Sequence, residues 1–392
     1  MIYLINPNEK RILENAGDRH PIGLLEIAST LKDKNHEVQI WDMNHEKPQD
    51  LYDSIKQDNP THIGISVYTS PIVPESIDLA QDIRKISNAK LIAGGYHASA
   101  LPKTLFPTFD SVVVGHGEHK FETAMRNDGI IHEETPYNEV PLDFSLLDMD
   151  KYNMQQDGKR VGTILTSRGC PFECAFCFNM DRVVKYSSPD KVKKNIQDLD
   201  DLNFERLYFL DDVFTLNPTR MKNVINKVGL PFRATTRADL VDYEKLEALA
   251  IAGCDTISLG IESGNDEILK RANKKTTVKQ NENAIKLAGI NGIDVKGFFI
   301  IGLPGETERT ARDTIDFANR MRNYGLKSAD FYFLTPFPGT PIWKNPEKFG
   351  ITIRDRDYTK YLEAGKTAKC VIDTEHLKAE RIEELVMEAK WQ

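Results

Sequence analysis

Short apolar runs of strand length alternate with helical patterns twice along this chain of 392 residues, once before residue 125 and again between residues 161 and 345. Such alternation with short connections produces parallel sheets covered by helices, and it places ligands beyond the carboxyl ends of the strands. The first series comprises Ile2-Ile5, Val38-Trp41, His62-Val67, Leu91-Ala93 and Ser111-Val114. One helix is expected from Pro21, with Leu24, Ile27, Ala28 and Leu31 on a common face, and another from Glu75 to Ile86. The second series comprises Gly162-Thr166, Arg206-Leu210, Phe232-Thr235, Thr256-Leu259, Val295-Ile301 and Ala329-Leu334. Six strand-helix units suggest a partial barrel with its active site on the carboxyl rim. The expected fold class is therefore α/β. A doubly wound parallel sheet over 1–126 is followed by a polar linker over 127–160 containing Pro136 and Pro141. A partial (β/α)6 barrel over 161–345 comes next, and a short C-terminal extension over 346–392 reads as helical from Leu377 to Lys390.

Hydrophobic residues make up 40% of the chain and charged ones 28%, which suits folded domains and excludes fibrous and disordered classes. A net charge of −8 disfavours a general nucleic-acid binder. No apolar run reaches the length of a membrane span, and the N-terminus enters a strand without a basic leader, so a cytoplasmic protein is expected. Five sparse cysteines build no disulfide framework.

Three of the five, Cys170, Cys174 and Cys177, stand together in Ser167-Arg-Gly-Cys-Pro-Phe-Glu-Cys-Ala-Phe-Cys-Phe-Asn179. Structural zinc sites and electron-transfer iron-sulfur clusters usually close with four protein ligands. A loop of three thiolates with no fourth cysteine nearby leaves one metal position open to a small molecule. Cys254 and Cys370 lie outside the motif and read as non-ligands. At the expected strand ends stand Asp211 and Asp212, Arg237, Gly260-Ile-Glu-Ser-Gly264 and Gly302-Leu-Pro-Gly-Glu306. Each has a structural alternative: Asp212, Glu262 and Asp266 suit helix N-termini, Glu306-Thr307 suits a cap, and Pro304-Gly305 suits a turn. Tyr358 and Tyr361 fit a core or surface role, or the lining of a substrate pocket.

In the first series, Asn6-Pro-Asn-Glu-Lys10 lacks the Gly-x-Gly-x-x-Gly that a dinucleotide needs. The strand ends carry instead Asp18-Arg-His-Pro-Ile-Gly23, Ser66-Val-Tyr68, Gly94-Gly95-Tyr-His97 and Val114-Gly-His-Gly-Glu-His119. This segment resembles the Rossmann- or flavodoxin-like cobalamin-binding domain of corrinoid enzymes, whose Asp-x-His-x-x-Gly, Ser-x-Leu and Gly-Gly elements occupy the same loops. The resemblance implies cobalamin contacts at Gly23, Ser66, Gly94, Gly95, His97, Gly115, Gly117 and Glu118, with His20 as a cobalt ligand. The stretch is also similar to the Pro-Pro-x-Gly-Leu run of cobalamin-domain radical enzymes, in which His20 would be a loop residue. Turn chemistry is the alternative for Gly115, Gly117 and Glu118.

The cysteine loop and the rim motifs of the second series resemble the radical S-adenosylmethionine (SAM) superfamily, whose fold is a partial TIM-type barrel. With Leu334-Thr-Pro-Phe-Pro-Gly-Thr340 they are similar to its cobalamin-dependent, class B methylase-like group. This resemblance implies a 4Fe-4S cluster on Cys170, Cys174 and Cys177, with SAM chelating the fourth iron. It further implies Asp211 or Asp212 at the SAM amino group, Arg237 at the carboxylate, Ser258 and Glu262 at the ribose, Phe176 at the adenine, and Gly302 and Gly305 close to the cofactor. The implied reaction is reductive SAM cleavage to a 5'-deoxyadenosyl radical that removes hydrogen from an unactivated carbon. Methylcobalamin would then methylate carbon or, less often, phosphorus. A small-molecule or peptide substrate and an external electron donor such as flavodoxin or ferredoxin follow from the same resemblance. Alternatives are a cyclase or rearrangement enzyme with or without cobalamin, a methylthiotransferase, and a non-catalytic sensor. The methylthiotransferase is disfavoured because residues 1–160 contain no cysteine for a second cluster.

Overall fold

The computed structural model describes residues 1–392 apart from 13–14, 134–138, 227, 363–367 and 390–392, so Pro136 and Lys390 lie outside the described residues. The chain forms two compact units, one of residues 1–160 with 358–360 and one of residues 161–357 with 361–392.

In the first unit, β1 (Ile2–Asn6), β2 (Val38–Asp42), β3 (His62–Ser66), β4 (Lys90–Gly94), β5 (Ser111–Val113) and β6 (Gly129–Ile131) make a parallel sheet in the order β2-β1-β3-β4-β5-β6. Ile5 pairs with Trp41 on one side and with Ile65 on the other. All five residues of β1 are buried, and Tyr3, Ile5, Ile63, Leu91 and Val112 share one core. Strands covered on both faces read as unbroken apolar runs for this reason. The order reverses at β1 and β3, the place where a doubly wound sheet opens a ligand crevice. Helix α1 (Ile22–Asp33) starts after Pro21 and buries Leu24, Leu25, Ala28 and Leu31, while Ile27 is half-buried. Helix α2 (Pro48–Asp58) was not expected; it buries only Leu51 and Ile55. Helix α3 (Val73–Arg84) begins two residues before the expected start at Glu75. The stretch 127–160, read as a linker, packs into the first unit: it supplies β6 and buries Leu142, Phe144, Met149 and Tyr152.

The short strand β7 (Gln155–Gln156) leads into β8 (Lys159–Ile164). From there six parallel strands neighbour one another in chain order, β8, β11 (Arg206–Phe209), β12 (Phe232–Thr236), β13 (Cys254–Glu262), β14 (Asp294–Ile301) and β15 (Leu326–Phe333). Helices fill the connections, which makes a partial barrel. Between β8 and β11, β9 (Ser167–Arg168) and β10 (Lys185–Tyr186) form a two-residue antiparallel ladder. Helix starts are marked by Ser188, Asn217, Asp242, Asn265, Thr277 and Thr307, whose side chains accept backbone N–H bonds. Asn217 rather than Asp212 therefore caps the helix Pro218–Ile225, and Asp212 is left for other work. The C-terminal extension adds the strand pair β16 (Ile351–Ile353) and β17 (Ile372–Thr374) and the helix Ala379–Glu388, whose Ile382 and Leu385 share a core with Ile301 and Leu303. Among the described residues no helix is long and apolar enough to cross a membrane.

Candidate active site

The loop that carries the three cysteines is closed at its base by the β9–β10 ladder, where Ser167 faces Tyr186 and Arg168 faces Lys185. Gly169 opens the loop at φ +94°, and a Cβ there would lie 2.7 Å from the Asp181 carbonyl oxygen, so this turn requires glycine. Within the loop, Cys170 N–H donates to Asp181 O (3.1 Å) and Cys177 N–H to Cys174 O (3.2 Å). Outside anchors hold its middle: Ala175 N–H donates to Ala272 O (2.9 Å), Ile342 N–H to Ala175 O (3.2 Å), and Asn273 Nδ2 to Glu173 O (2.6 Å).

All three thiols are free; Cys174 is buried, Cys170 half-buried and Cys177 exposed. Burial raises the Cys170 thiol, a bond from the Phe172 backbone opposes it, and Asp212 and Cys174 raise it further. Dense surroundings that cost the thiolate hydration, then Cys174 and Cys170, raise Cys177. Among the described residues no three His, Cys, Asp or Glu side chains converge on a single ion. Three thiols within eight residues of one loop, with no fourth cysteine beside them in sequence, are the donor set of a cluster that keeps one iron open.

The two aspartates after β11 divide sharply. Asp211 is buried, accepting Thr166 N–H (3.0 Å), Thr166 Oγ1 (2.7 Å) and Ser167 Oγ, with Arg220 Nη1 at 3.5 Å. Its oxygens are taken, so it anchors the strand end before the cysteine loop instead of facing a ligand. Asp212 is exposed, with Gly169 N–H donating to one oxygen at 3.2 Å. Arg237, expected at the SAM carboxylate, is buried and directs Nε and Nη2 to the two oxygens of Asp239 at 2.9 and 3.0 Å.

Glu262 adopts φ +66° at an irregularity near the end of β13, a conformation costing a non-glycine residue on the order of 1 kcal/mol. Lys274 Nζ donates to its Oε1 at 2.7 Å, and both side chains are nearly fully buried. Sequence reasoning missed Lys274; it follows the helix Asp266–Arg271 through Asn273, which is at φ +52°. Ser258, expected at the ribose, is fully buried within β13, where Oγ accepts from Arg233 Nε at 2.7 Å. It is an interior residue of the barrel. Phe176 packs half-buried against the C-terminal core. The Cβ direction of Gly302 is filled by Ile382 (3.1 Å) and that of Gly305 by the Arg271 side chain, so both glycines serve turns packed against protein.

Glu306 lies fully buried beneath that turn, its Oε2 accepting Gly302 N–H at 2.5 Å, while Oε1 has no partner among the described residues. Burial pushes its carboxyl from the ordinary 4.5 up to about 8, against the Gly302 and Leu303 N–H groups that favour the anion. Below pH 4.5 both folded and unfolded states are protonated; from there to about 8 only the unfolded chain ionises, so stability falls with rising pH and then levels. Glu306→Gln is expected to stabilise the chain by about 2 kcal/mol at pH 7, somewhat less than the ionisation cost because its amide N–H2 lacks partners. Near pH 4 it should make little difference. Urea unfolding of the two proteins at both pH values checks this, and an equal effect at both would contradict it.

In the first unit the expected loops meet at the carboxyl ends of the strands, but their side chains differ in what they offer. A Cβ on Gly23 would meet nothing within 4 Å and one on Gly94 only Val113 at 3.9 Å, so both faces are open to a ligand. That openness fits a corrin lying along the backbone. Ser66, beside Gly94 in the sheet register, is half-buried. Gly95, at φ +108°, would drive a Cβ to 2.8 Å from Tyr68 Cα, so this glycine is required by packing. The Cβ directions of Gly115 and Gly117 are filled by Lys120 (2.9 Å) and Ile27 (2.5 Å), and Glu118 is buried in the short turn Gly117–His119.

His20 is buried, with its ring edge-on to Phe144 (5.6 Å) and Tyr152 (6.1 Å), which fits a packed loop residue. His97, expected at the corrin edge, is buried with Nδ1 3.0 Å from Ser70 Oγ and Nε2 2.9 Å from Thr104 Oγ1, against the Tyr358 ring at 5.0 Å. Burial pushes it down to about 4, so it is neutral and fully engaged in packing. Glu9, which sequence reasoning passed over, sits after β1 with Asn6 and Tyr68 as partners. Burial and Asp42 push it up to about 7, while bonds to Asn6 and Tyr68 hold it back. Tyr361 is a core residue, donating to Asp355 O at 2.6 Å. The remaining cysteines, Cys254 and Cys370, are buried and bond to the carbonyls of Thr256 and Ile372.

Residues 164–318 match the model of the radical SAM superfamily, and residues 11–125 match the B12 binding domain. An uncharacterized methyltransferase of Pyrococcus horikoshii is 30% identical, over 99% of this chain and 91% of that protein. Cytidylyl-2-hydroxyethylphosphonate methyltransferase of Streptomyces wedmorensis is 25% identical, over 82% of this chain and 77% of its own length. The structure of the radical SAM methyltransferase TsrM from Kitasatospora setae, with cobalamin and a 4Fe-4S cluster bound, shares the fold at TM-score 0.75 and 20% identity. That match covers 92% of this chain and 82% of TsrM. Both domain types are thus present in one chain that aligns end to end with a methyltransferase, and the chain is an enzyme of the cobalamin-dependent radical SAM methylase family.

Proposed function

We propose that this chain methylates carbon in a small molecule, with Cys170, Cys174 and Cys177 holding a 4Fe-4S cluster and the first unit holding cobalamin along Gly23, Ser66 and Gly94. The observation that carries this reading is the set of three free thiols on one glycine-opened loop at the barrel rim, with no fourth cysteine beside them. When bound, the cluster with SAM supplies one-electron hydrogen abstraction and the corrin supplies the methyl group.

The chain's own residues do the positioning. The exposed Asp212 carboxylate is oriented by Gly169 N–H and is free on its outer side to accept from an ammonium group. Glu262 is held in its strained conformation by the buried Lys274 ammonium, and its carboxylate would accept from ribose hydroxyls of a bound SAM. Asp211, Arg220 and Thr166 lock the strand end from which the cysteine loop departs. The reductant is external, of the flavodoxin or ferredoxin kind, and the setting is the reducing cytoplasm, where free thiols persist.

The test is anaerobic reconstitution with iron, sulfide and hydroxocobalamin, followed by incubation with reductant, methyl-labelled SAM and a pool of small metabolites. The expected products are 5'-deoxyadenosine, S-adenosylhomocysteine and a labelled metabolite found by mass spectrometry. Reconstituted protein with no corrin absorption, or one that cleaves SAM without ever passing on the label, would sink the methylase reading.

A further inference from the structure

We propose that Arg237 is a positioning residue for the cluster: it clamps the middle thiolate, Cys174, and raises the reduction potential of the cluster through a charge-assisted N–H···S bond. The proposal rests on the reading above that Cys170, Cys174 and Cys177 are the ligands.

The guanidinium is committed on every side. Nη1 donates toward Cys174 Sγ at 3.8 Å, and Nη2 donates to Lys274 O at 2.7 Å as well as to Asp239. Its plane lies over the Phe172 ring, with Cζ 3.7 Å from the ring centroid. Phe172 stands between Cys170 and Cys174, so one buried cation grips the loop at a ring and at a ligand sulfur. The Asp239 fork fixes the plane that makes both contacts possible, which a lysine ammonium cannot reproduce. Because that fork is filled from within the protein, no parallel pair of donors is left for a carboxylate on SAM.

The consequence for the cluster is electrostatic. One-electron reduction adds negative charge to the sulfurs and irons, and a buried N–H donor aimed at a ligand sulfur favours the reduced form. Asp239 offsets part of that cation. Substitutions at the two positions therefore move the potential in opposite directions, whereas a merely structural role would damage cluster retention in both and give no such opposition.

The experiment is a redox titration of the reduced-cluster EPR signal in anaerobically reconstituted full chains, with iron and sulfide measured on each. Arg237→Met is expected to make reduction about tenfold less favourable, a shift of about 59 mV to more negative potential for one electron. Asp239→Asn is expected to shift it the other way, and Arg237→Lys should fall between Arg237→Met and wild type. Should Arg237→Met take up no iron, the remaining order still decides: Arg237→Lys below wild type and Asp239→Asn above it upholds the clamp. Equal potentials, or shifts of one sign, overturn it. A wild-type chain that holds no cluster overturns the ligand assignment itself, and the clamp with it.

Discussion

Cys177→Ala protein is expected to fold normally, to lose the iron-sulfur absorption, and to cleave SAM about a thousandfold more slowly or not measurably. The folding half of this expectation comes from position: Cys177 keeps an exposed side although protein crowds its sulfur, so removing the thiol leaves no closed cavity and should change stability by no more than about 1 kcal/mol. The chemical half comes from ligand number. Two thiolates would remain on the loop, and Cys254 and Cys370 are buried and bonded to the carbonyls of Thr256 and Ile372, so no substitute ligand is at hand. Anaerobic iron and sulfide analysis with chromatographic measurement of 5'-deoxyadenosine settles the matter. Full iron content and unchanged cleavage in Cys177→Ala would show that the loop is not the cluster site. The same substitution at Cys174 is less clean, because that thiol is buried and engaged by Arg237.

The second large effect separates two adjacent glycines. Gly94→Val should leave stability within about 0.5 kcal/mol of wild type and weaken cobalamin retention about tenfold or more, whereas Gly95→Ala should destabilise the first unit by about 2 kcal/mol or more. At Gly94 the backbone is ordinary and a side chain would meet protein only at 3.9 Å, so only a ligand could object to it. At Gly95 the backbone is left-handed and the new Cβ would collide with Tyr68 Cα and the Val67 carbonyl oxygen at 2.8 Å, neither of which can swing aside. Equilibrium dialysis against hydroxocobalamin and urea unfolding read the two quantities separately. Undiminished corrin binding by a stable Gly94→Val would mean that the corrin does not pass this strand end.

Much of the architecture was legible because parallel strands buried on both faces are written as apolar runs; β1 and β3 to β5 appear as such, and so do the strands of the barrel. Helix α2 escaped notice because only Leu51 and Ile55 turn inward, too thin a stripe to register as a period. Strand β6 escaped because it is a three-residue edge with a single buried residue. At the site, the spacing of the cysteines was enough to find the loop, since that signal is local. What could not be read was which way polar side chains turn. Asp211 and Asp212 are neighbours in sequence with opposite fates, one enclosed by Thr166 and Ser167 and the other exposed. Arg237 has its partner only two residues on, yet nothing in the sequence says that Asp239 folds back to fill it. His97 likewise looked like an edge residue until Ser70, Thr104 and Tyr358 closed round it.

The β9–β10 ladder has only two paired positions, and the sixteen residues from Gly169 to Val184 are held mainly by anchors outside the loop, at Ala272, Asn273, Ile342 and Arg237. Freeing this stretch would break those anchors as well as the ladder, while the six barrel strands stay paired. Amide hydrogens of Cys170 and Cys177, each held by a single bond within the loop, should accordingly exchange faster than those of the β13–β14 ladder, so the metal-binding loop is the least protected stretch of the barrel rim.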